Sequence, residues 1–207
     1  MSQFQTDLTQ GSVFGQLLKF SVPFLLSNLL QALYNMADMV IVGQFGGAVG
    51  ASAVGIGGQV TILIINLISG LAVGGTIMIA QFIGARRQKE VERTVGTMFT
   101  LYAIAGAAIT VIMLLINPWV LRLMQTPADC YGEALAYLNI CMGGTLFIVG
   151  YNAVSAVLRG MGDSRHPLIF VGVAAVVNIV LDPVFIFALD MGVRGAALAT
   201  VIAQGCS

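Results

Sequence analysis

Long apolar runs separated by short polar joints set the pattern along this chain. Five runs are at least about twenty residues long, the length that an α-helix needs to cross a hydrocarbon core of roughly 30 Å. The predicted spans cover residues 17–43, 53–84, 94–116, 134–158 and 167–189. A sixth run, residues 195–207, gives about 20 Å of helix at 1.5 Å per residue. We therefore expect an incomplete sixth span, and a chain that is a fragment of something longer.

The composition narrows the class of protein. Hydrophobic residues make up 58% of the chain, charged residues 9%, and the mean hydropathy is +0.95, whereas a soluble domain averages about 25% charged residues. Nine basic residues balance nine acidic ones, so no basic field is available to bind nucleic acid. The three cysteines fit neither a metal motif nor a disulfide framework. The pattern predicts an all-α integral membrane protein.

The distribution of Lys and Arg predicts the orientation. The N-terminal end and the joints after spans 2 and 4 contain seven basic residues, and the opposite joints contain two. Because positive charge is retained on the cytoplasmic side, we expect the N-terminal segment, residues 1–16, to be cytoplasmic. Residues 1–11 lack the basic region and short apolar core of a cleaved signal, so we expect span 1 to remain in the mature protein.

Two carboxylates interrupt the apolar pattern, Asp38 in span 1 and Asp182 in span 5. Placing a carboxylate in a span costs roughly 2.5–3.5 kcal/mol, so such residues usually face a bundle interior or a wet cavity. Desolvation also favours the protonated form of a carboxyl group. Each Asp is therefore a candidate ion or proton site. The alternative is that each one only bonds a neighbouring helix or lies at the membrane interface.

The neighbours of Asp182 supply further oxygens. Asn178 lies four residues earlier and projects from the same helical face. Pro183 lacks an N–H, so the carbonyl of Ile179 loses its helical donor and the helix can bend there. Thr200 and Asp182 lie about 12 and 15 Å of helix from the turn at Gly192, and hence at a similar depth.

An oxygen-only site suits Na⁺ or a shared proton, and no other metal is expected, since a soft transition metal prefers imidazole or thiolate ligands. Spans 1 and 5 both end outside in the predicted orientation, so Asp38 and Asp182 can meet if these spans pack together. Pro23 offers a kink point, or hinge, in span 1.

Several segments together resemble the N-terminal half of multidrug and toxic compound extrusion (MATE) transporters. The segments are Pro23, residues 35–38 (Asn-Met-Ala-Asp), 42–43 (Val-Gly), 70–74 (Gly-Leu-Ala-Val-Gly), 80–81 (Ala-Gln), 159–163 (Arg-Gly-Met-Gly-Asp) and 178–183 (Asn-Ile-Val-Leu-Asp-Pro). The resemblance covers essentially the whole chain. It implies a twelve-helix, two-lobe inner-membrane transporter, of which residues 17–207 form the N-lobe and the C-lobe is absent.

The resemblance also implies an activity and a set of site residues. Transporters of this type exchange H⁺ or Na⁺ for organic, often cationic, compounds by alternating access, and they are neither enzymes nor users of a cofactor. The implied partners are the lipid bilayer, small organic substrates and a second lobe. The positions matching the family's cation site are Asp38, Asn178, Asp182 and Thr200, with Asn152 and Tyr137 on span 4. Tyr137 and Asn152 lie about 22 Å apart on a straight helix, so both can approach one ion only if span 4 bends.

Three alternatives remain open from the sequence. A related flippase of lipid-linked oligosaccharides would need cationic residues inside its cavity, and none lies in the middle of a span. An intramembrane enzyme would need a Ser/His pair, a His-Glu-x-x-His motif or a Gly-Asp carboxylate pair in facing spans, and no such constellation occurs. An inactive membrane fragment is the third alternative, because the sixth run is short.

Overall fold

The structure, a computed structural model, describes residues 12–207, apart from the side chains of Val13, Gln16 and Phe45. In this range the chain is helical, with short turns and no strand. The helices are α1 (Val13–Gly84), α2 (Gln88–Leu123), α3 (Ala128–Gly143), α4 (Thr145–Gly160), α5 (Arg165–Pro183) and α6 (Val193–Cys206), and a π-helical turn, Val184–Ala188, continues α5. The predicted N-terminal segment lies largely outside the described residues.

Helix α1 consists of two arms joined at a single glycine. Gly47 has φ 61° and ψ −161°, a conformation that glycine adopts without steric cost. Of two apolar segments long enough to cross a membrane, Leu17–Gln44 ends before this break, and Gly46–Gly84 contains it one residue after its start. We call residues 13–46 the first arm and residues 48–84 the second arm. The sequence predicted a joint across residues 44–52, but helix fills most of it.

Four helical segments of the described range are long and apolar enough to cross a membrane, or five if α3 and α4 form one broken span. The axes of α3 and α4 differ by 52° at the break near Gly144, within predicted span 4. Helix α2 extends beyond predicted span 3 at both ends. Its 36 residues give about 54 Å of helix. The predicted span is shorter, because hydropathy marks only the part of a helix that lies within the bilayer.

Small residues at the helix contacts allow the backbones to approach closely. Fully buried alanines line these contacts, among them Ala53, Ala134, Ala156 and Ala196. Gly195 of α6 lies so close to the π-helical turn that an added Cβ would be 2.9 Å from the carbonyl carbon of Phe185. This approach holds the start of α6 against the end of α5, and so sets the distance between the two helices that carry Asp182 and Thr200.

Candidate cation site

Asn178, Asp182 and Thr200 meet between α5 and α6. The Asn178 side-chain amide donates hydrogen bonds to Asp182 Oδ1 at 3.3 Å and to Thr200 Oγ1 at 3.4 Å. Asn178 and Asp182 are both completely buried. The three residues, which the sequence predicted to lie at a similar depth, therefore converge in the structure.

Pro183 marks a change of helix type beside Asp182. Helix α5 ends at Pro183 and the chain continues as the π-helical turn, in which Leu189 N donates to Val184 O at 3.1 Å. Proline cannot donate to the carbonyl four residues earlier, and π-helical turns occur often at functional sites. The regular helix is thus interrupted directly after the buried carboxylate.

Asp38 approaches the same site from the first arm. Its side chain is buried, and its carboxyl group interacts electrostatically with that of Asp182. Three buried acceptor oxygens in this region have no hydrogen-bond partner within the described chain: Asp38 Oδ1, Asn178 Oδ1 and Asp182 Oδ2. The site therefore has more acceptor oxygens than donors.

Tyr34 and Gln204 belong to this neighbourhood, although the sequence pattern did not predict them. Gln204 Nε2 donates to Tyr34 Oη at 3.2 Å, and Tyr34 interacts electrostatically with Asp38. Gln204 Oε1 is a further buried acceptor without a partner among residues 12–207. Helical spacing could have found both residues, since Tyr34 lies one turn before Asp38 and Gln204 one turn after Thr200.

The two residues predicted on span 4 have different surroundings. Tyr137 is buried against Gly57 of the second arm and interacts electrostatically with Asp38. Asn152 donates through Nδ2 to Ile148 O at 2.7 Å, within its own helix. The described contacts therefore connect Tyr137, and not Asn152, with the carboxylates. The break near Gly144 lies between these two residues.

Pro23, the predicted hinge, lies inside the first arm without ending the helix. Ser27 Oγ donates to the Pro23 carbonyl at 2.8 Å, a local bond that often accompanies a bent helix. Pro23 itself cannot donate to the carbonyl of Lys19. The backbone hydrogen bonding of the first arm is therefore weakened at a point about 22 Å along the helix from Asp38.

Comparison with known proteins decides the family. The MatE family model matches residues 23–184, more than half of the chain. The chain belongs to the MATE family. Members of this family are membrane transporters and not enzymes.

Similar proteins include several multidrug-related MATE relatives. "Probable multidrug resistance protein YpnP" of Bacillus subtilis is 34% identical over 199 residues, which are 96% of this chain and 45% of that protein. "Probable multidrug resistance protein NorM" of Thermotoga maritima is 31% identical over 193 residues, which are 91% of this chain and 41% of that protein. The chain thus spans less than half the length of these relatives.

Solved structures show the same lobe. A MOP superfamily transporter from Pyrococcus furiosus matches with a TM-score of 0.88 and 33% identity, over 95% of this chain and 43% of that one. The bent form of the Vibrio cholerae MATE transporter VcmN matches with a TM-score of 0.85 and 27% identity, over 93% of this chain and 44% of that one. The all-α membrane fold predicted from the sequence is confirmed.

The chemistry of the site in this MATE lobe follows from its atoms. Carboxylate and amide oxygens are ligands for hard cations, and a carboxyl group can instead take a proton. Among residues 12–207, no group of three or more His, Cys, Asp or Glu could hold a metal ion. The oxygens available are two carboxylates, one amide and one hydroxyl, a set that fits Na⁺ or H⁺ better than a transition metal.

Proposed function

We propose that this MATE protein takes part in secondary active multidrug efflux, in which organic, often cationic, compounds are exported in exchange for H⁺ or Na⁺. The observation that carries the proposal is that two buried carboxyl groups, Asp38 and Asp182, interact electrostatically although their helices lie far apart in the sequence. The names of the similar proteins, which are called probable multidrug resistance proteins, support the multidrug substrate class.

The coupling ion acts by reducing the repulsion between the carboxylates of Asp38 and Asp182. Two carboxylates held close together and away from water repel each other. A proton shared by the pair, or a Na⁺ ion near Asp182 Oδ2 and Asn178 Oδ1, removes that repulsion and gives the unpartnered oxygens a partner. Ion binding therefore favours the conformation in which the first arm and α5 stay packed together.

Conversion of ion binding into transport requires a second conformation. An ion shifts a conformational equilibrium only by its difference in affinity for the two states. Departure of the ion restores the repulsion between Asp38 and Asp182, so the first arm is driven away from α5. The weakened backbone hydrogen bonding at Pro23 and the interruption after Pro183 are where the two helices bend during this change.

Alternating access also requires the partners that the resemblance implies. A second six-helix lobe, from a longer chain or a separate one, closes the cleft in which the organic substrate binds. The lobe lies in the inner membrane with its N-terminus on the cytoplasmic side. Relatives more than twice as long as this chain support the two-lobe arrangement. The Asn152 side chain, which bonds within α4 in the present conformation, joins the cation site only after movement of that helix.

A flippase of lipid-linked oligosaccharides is the less favoured alternative. Such a protein would need basic side chains in the middle of its spans to meet phosphate groups. The Lys and Arg residues of the described helices lie near helix ends. The carboxylate pair in the interior favours cationic cargo and a cationic coupling ion instead.

The test is accumulation of a fluorescent cationic dye in cells that express the protein together with its second lobe. We expect Asp182→Asn to abolish efflux driven by an imposed H⁺ or Na⁺ gradient while the amount of protein in the membrane stays the same. Asp190→Asn, which removes an exposed acid just past the π-helical turn, is the matched control and should export normally. Unchanged efflux by the Asp182 variant would contradict the proposed site.

A further inference from the structure

A second polar cluster lies away from the carboxylates, around Arg159 at the end of α4. The guanidinium group is half-buried and stacks over the ring of Phe24 in the first arm, at 5.8 Å from the ring centroid. Within the described chain no carboxylate lies within 4.0 Å of Arg159, so its charge has no counter-ion there. A partly desolvated cation without an anion is costly, which points to a ligand that completes the site.

Two tyrosine hydroxyls lie near this charge. Tyr102 of α2 and Tyr151 of α4 both interact electrostatically with Arg159. Tyr102 is only 2% exposed, and its hydroxyl has no hydrogen-bond partner among residues 12–207. Gly106 lies against Leu146 and Val149 of the antiparallel α4, so Tyr102, one turn along, comes level with Tyr151. A buried hydroxyl without a partner is unusual and calls for an explanation.

The cluster offers donors to a ligand. A guanidinium group has five N–H donors in a planar fork and no acceptor, and a tyrosine hydroxyl near a cation donates best to an anion. Planar recognition by Arg is typical of phosphate and carboxylate sites. We propose that Arg159, Tyr102 and Tyr151 form an oxyanion site that binds a phosphate group.

The position of the cluster indicates where the phosphate comes from. Arg159 lies one residue beyond the apolar run of span 4, at the end of the lobe that also carries Arg86, Arg87 and Lys89. Phe24 is itself 41% exposed, so the ring that stacks on the guanidinium lies at the edge of the lobe. Phosphate groups are concentrated at this depth in lipid headgroups. Free phosphate from solution offers the same chemistry.

Binding there links α2, α4 and the first arm, and of these only the first arm also carries a carboxylate of the cation site. A phosphate held by Arg159 and Tyr102 joins α4 to α2, and the stacked Phe24 ties the same group to the first arm one residue after Pro23. The site therefore stabilises the lobe at the end opposite Asp38. This role is independent of the proposed transport of drugs.

The experiment follows the thermal unfolding midpoint of the purified protein in a non-ionic detergent during titration with phosphatidylglycerol. Diacylglycerol with the same chains serves as the phosphate-free control, and inorganic phosphate tests the free anion. We expect phosphatidylglycerol to raise the midpoint and diacylglycerol to leave it unchanged. Arg159→Gln should require about tenfold more lipid for the same effect, because hydrogen bonds to charged groups are strong. Arg93→Gln removes an exposed charge at the same end and should behave as the unchanged protein.

A second variant protects the test against misfolding of the Arg159 protein. Tyr102→Phe keeps the buried ring and loses only the hydroxyl, so we expect a smaller, severalfold weakening of lipid binding. Stabilisation by inorganic phosphate that depends on Arg159 would support the oxyanion site and assign its occupant to solution. An equal loss of lipid binding in the Arg159 and Arg93 variants would overturn the proposal. It would also be overturned if diacylglycerol raised the unfolding midpoint as much as phosphatidylglycerol does. Unchanged binding in both the Arg159 and Tyr102 variants would overturn it too.

Discussion

Gln204 Nε2 donates a hydrogen bond to the hydroxyl of Tyr34, which lies 170 residues earlier in the chain. Both side chains are buried, and they join the first arm to α6 one turn away from Asp38 and from Thr200. This bond is the direct polar link between the two ends of the described chain. It therefore holds α6 in place beside the carboxylates.

Loss of this link should loosen the lobe. Tyr34→Phe and Gln204→Leu should each lower the free energy of unfolding by about 1 kcal/mol, the usual net value of one hydrogen bond. Because both changes remove the same bond, the double variant should lose less than the two single losses added together. Chemical or thermal unfolding of all four proteins measures this coupling. Strictly additive losses would mean that this bond does not form in the folded protein.

Thr200 should affect ion coupling more than stability. Thr200→Val keeps the side-chain shape and removes the hydroxyl that accepts from Asn178. We expect several times more H⁺ or Na⁺ to be needed for half-maximal dye efflux, since the site loses one oxygen and Asn178 one partner. Thr97→Val is the matched control, because the Thr97 hydroxyl is exposed and bonds only to the Arg93 carbonyl of its own helix. An unchanged ion dependence in the Thr200 variant would exclude the hydroxyl from the site.

Adjacent glycines in the second arm give a matched pair of substitutions. A Cβ at Gly57 would lie 2.6 Å from Cδ1 of Tyr137, whereas a Cβ at Gly58 meets nothing within 4 Å. Gly57→Ala should therefore cost about 1–3 kcal/mol of stability through overpacking. It should also displace Tyr137 from Asp38 and reduce efflux. Gly58→Ala should be neutral or stabilising, because alanine favours helix. Similar unfolding midpoints for the two variants would show that Tyr137 does not pack there.

Backbone strain, and not packing, should decide the effect of a change at Gly47. Its φ of 61° is unfavourable for other residues, yet a Cβ there would meet nothing within 4 Å. Gly47→Ala should cost roughly 1–3 kcal/mol, because its combination of positive φ and extended ψ is essentially restricted to glycine. Gly70→Ala, inside a regular stretch of the second arm with equally open surroundings, should gain about 0.5–1 kcal/mol. Thermal unfolding of the two variants, compared with the unchanged protein, gives the sign of each effect.

The sequence predicted the parts of the site that depend on local helical geometry. Asn178 and Asp182 share one face because they lie four residues apart. Thr200 lies at a similar distance from the turn at Gly192, which predicted that it lies beside them. Helical spacing places Tyr34 one turn from Asp38 and Gln204 one turn from Thr200, but only tertiary packing joins the two side chains. The predicted orientation placed Asp38 and Asp182 in the same half of the membrane. It could not show which helix packs against the first arm.

Hydropathy also could not locate the breaks in the helices. The apolar run of span 4 continues smoothly through Gly144, where the helix axis turns by 52°. A polar joint was expected between spans 1 and 2, yet glycine, alanine and serine there continue the helix on both sides of Gly47. The apolar content of a segment indicates whether it lies in the bilayer. A break in a helix depends instead on the φ and ψ angles of one or two residues.

The one-residue break at Gly47 makes the first arm a lever with its pivot at one end. Asp38 lies nine residues from the pivot and Pro23 twenty-four residues from it. At a constant rise per residue, rotation about Gly47 displaces Pro23 roughly two to three times as far as it displaces Asp38. If ion binding shifts Asp38 by less than about 1 Å, the same rotation would therefore move the far end of the first arm by a larger distance.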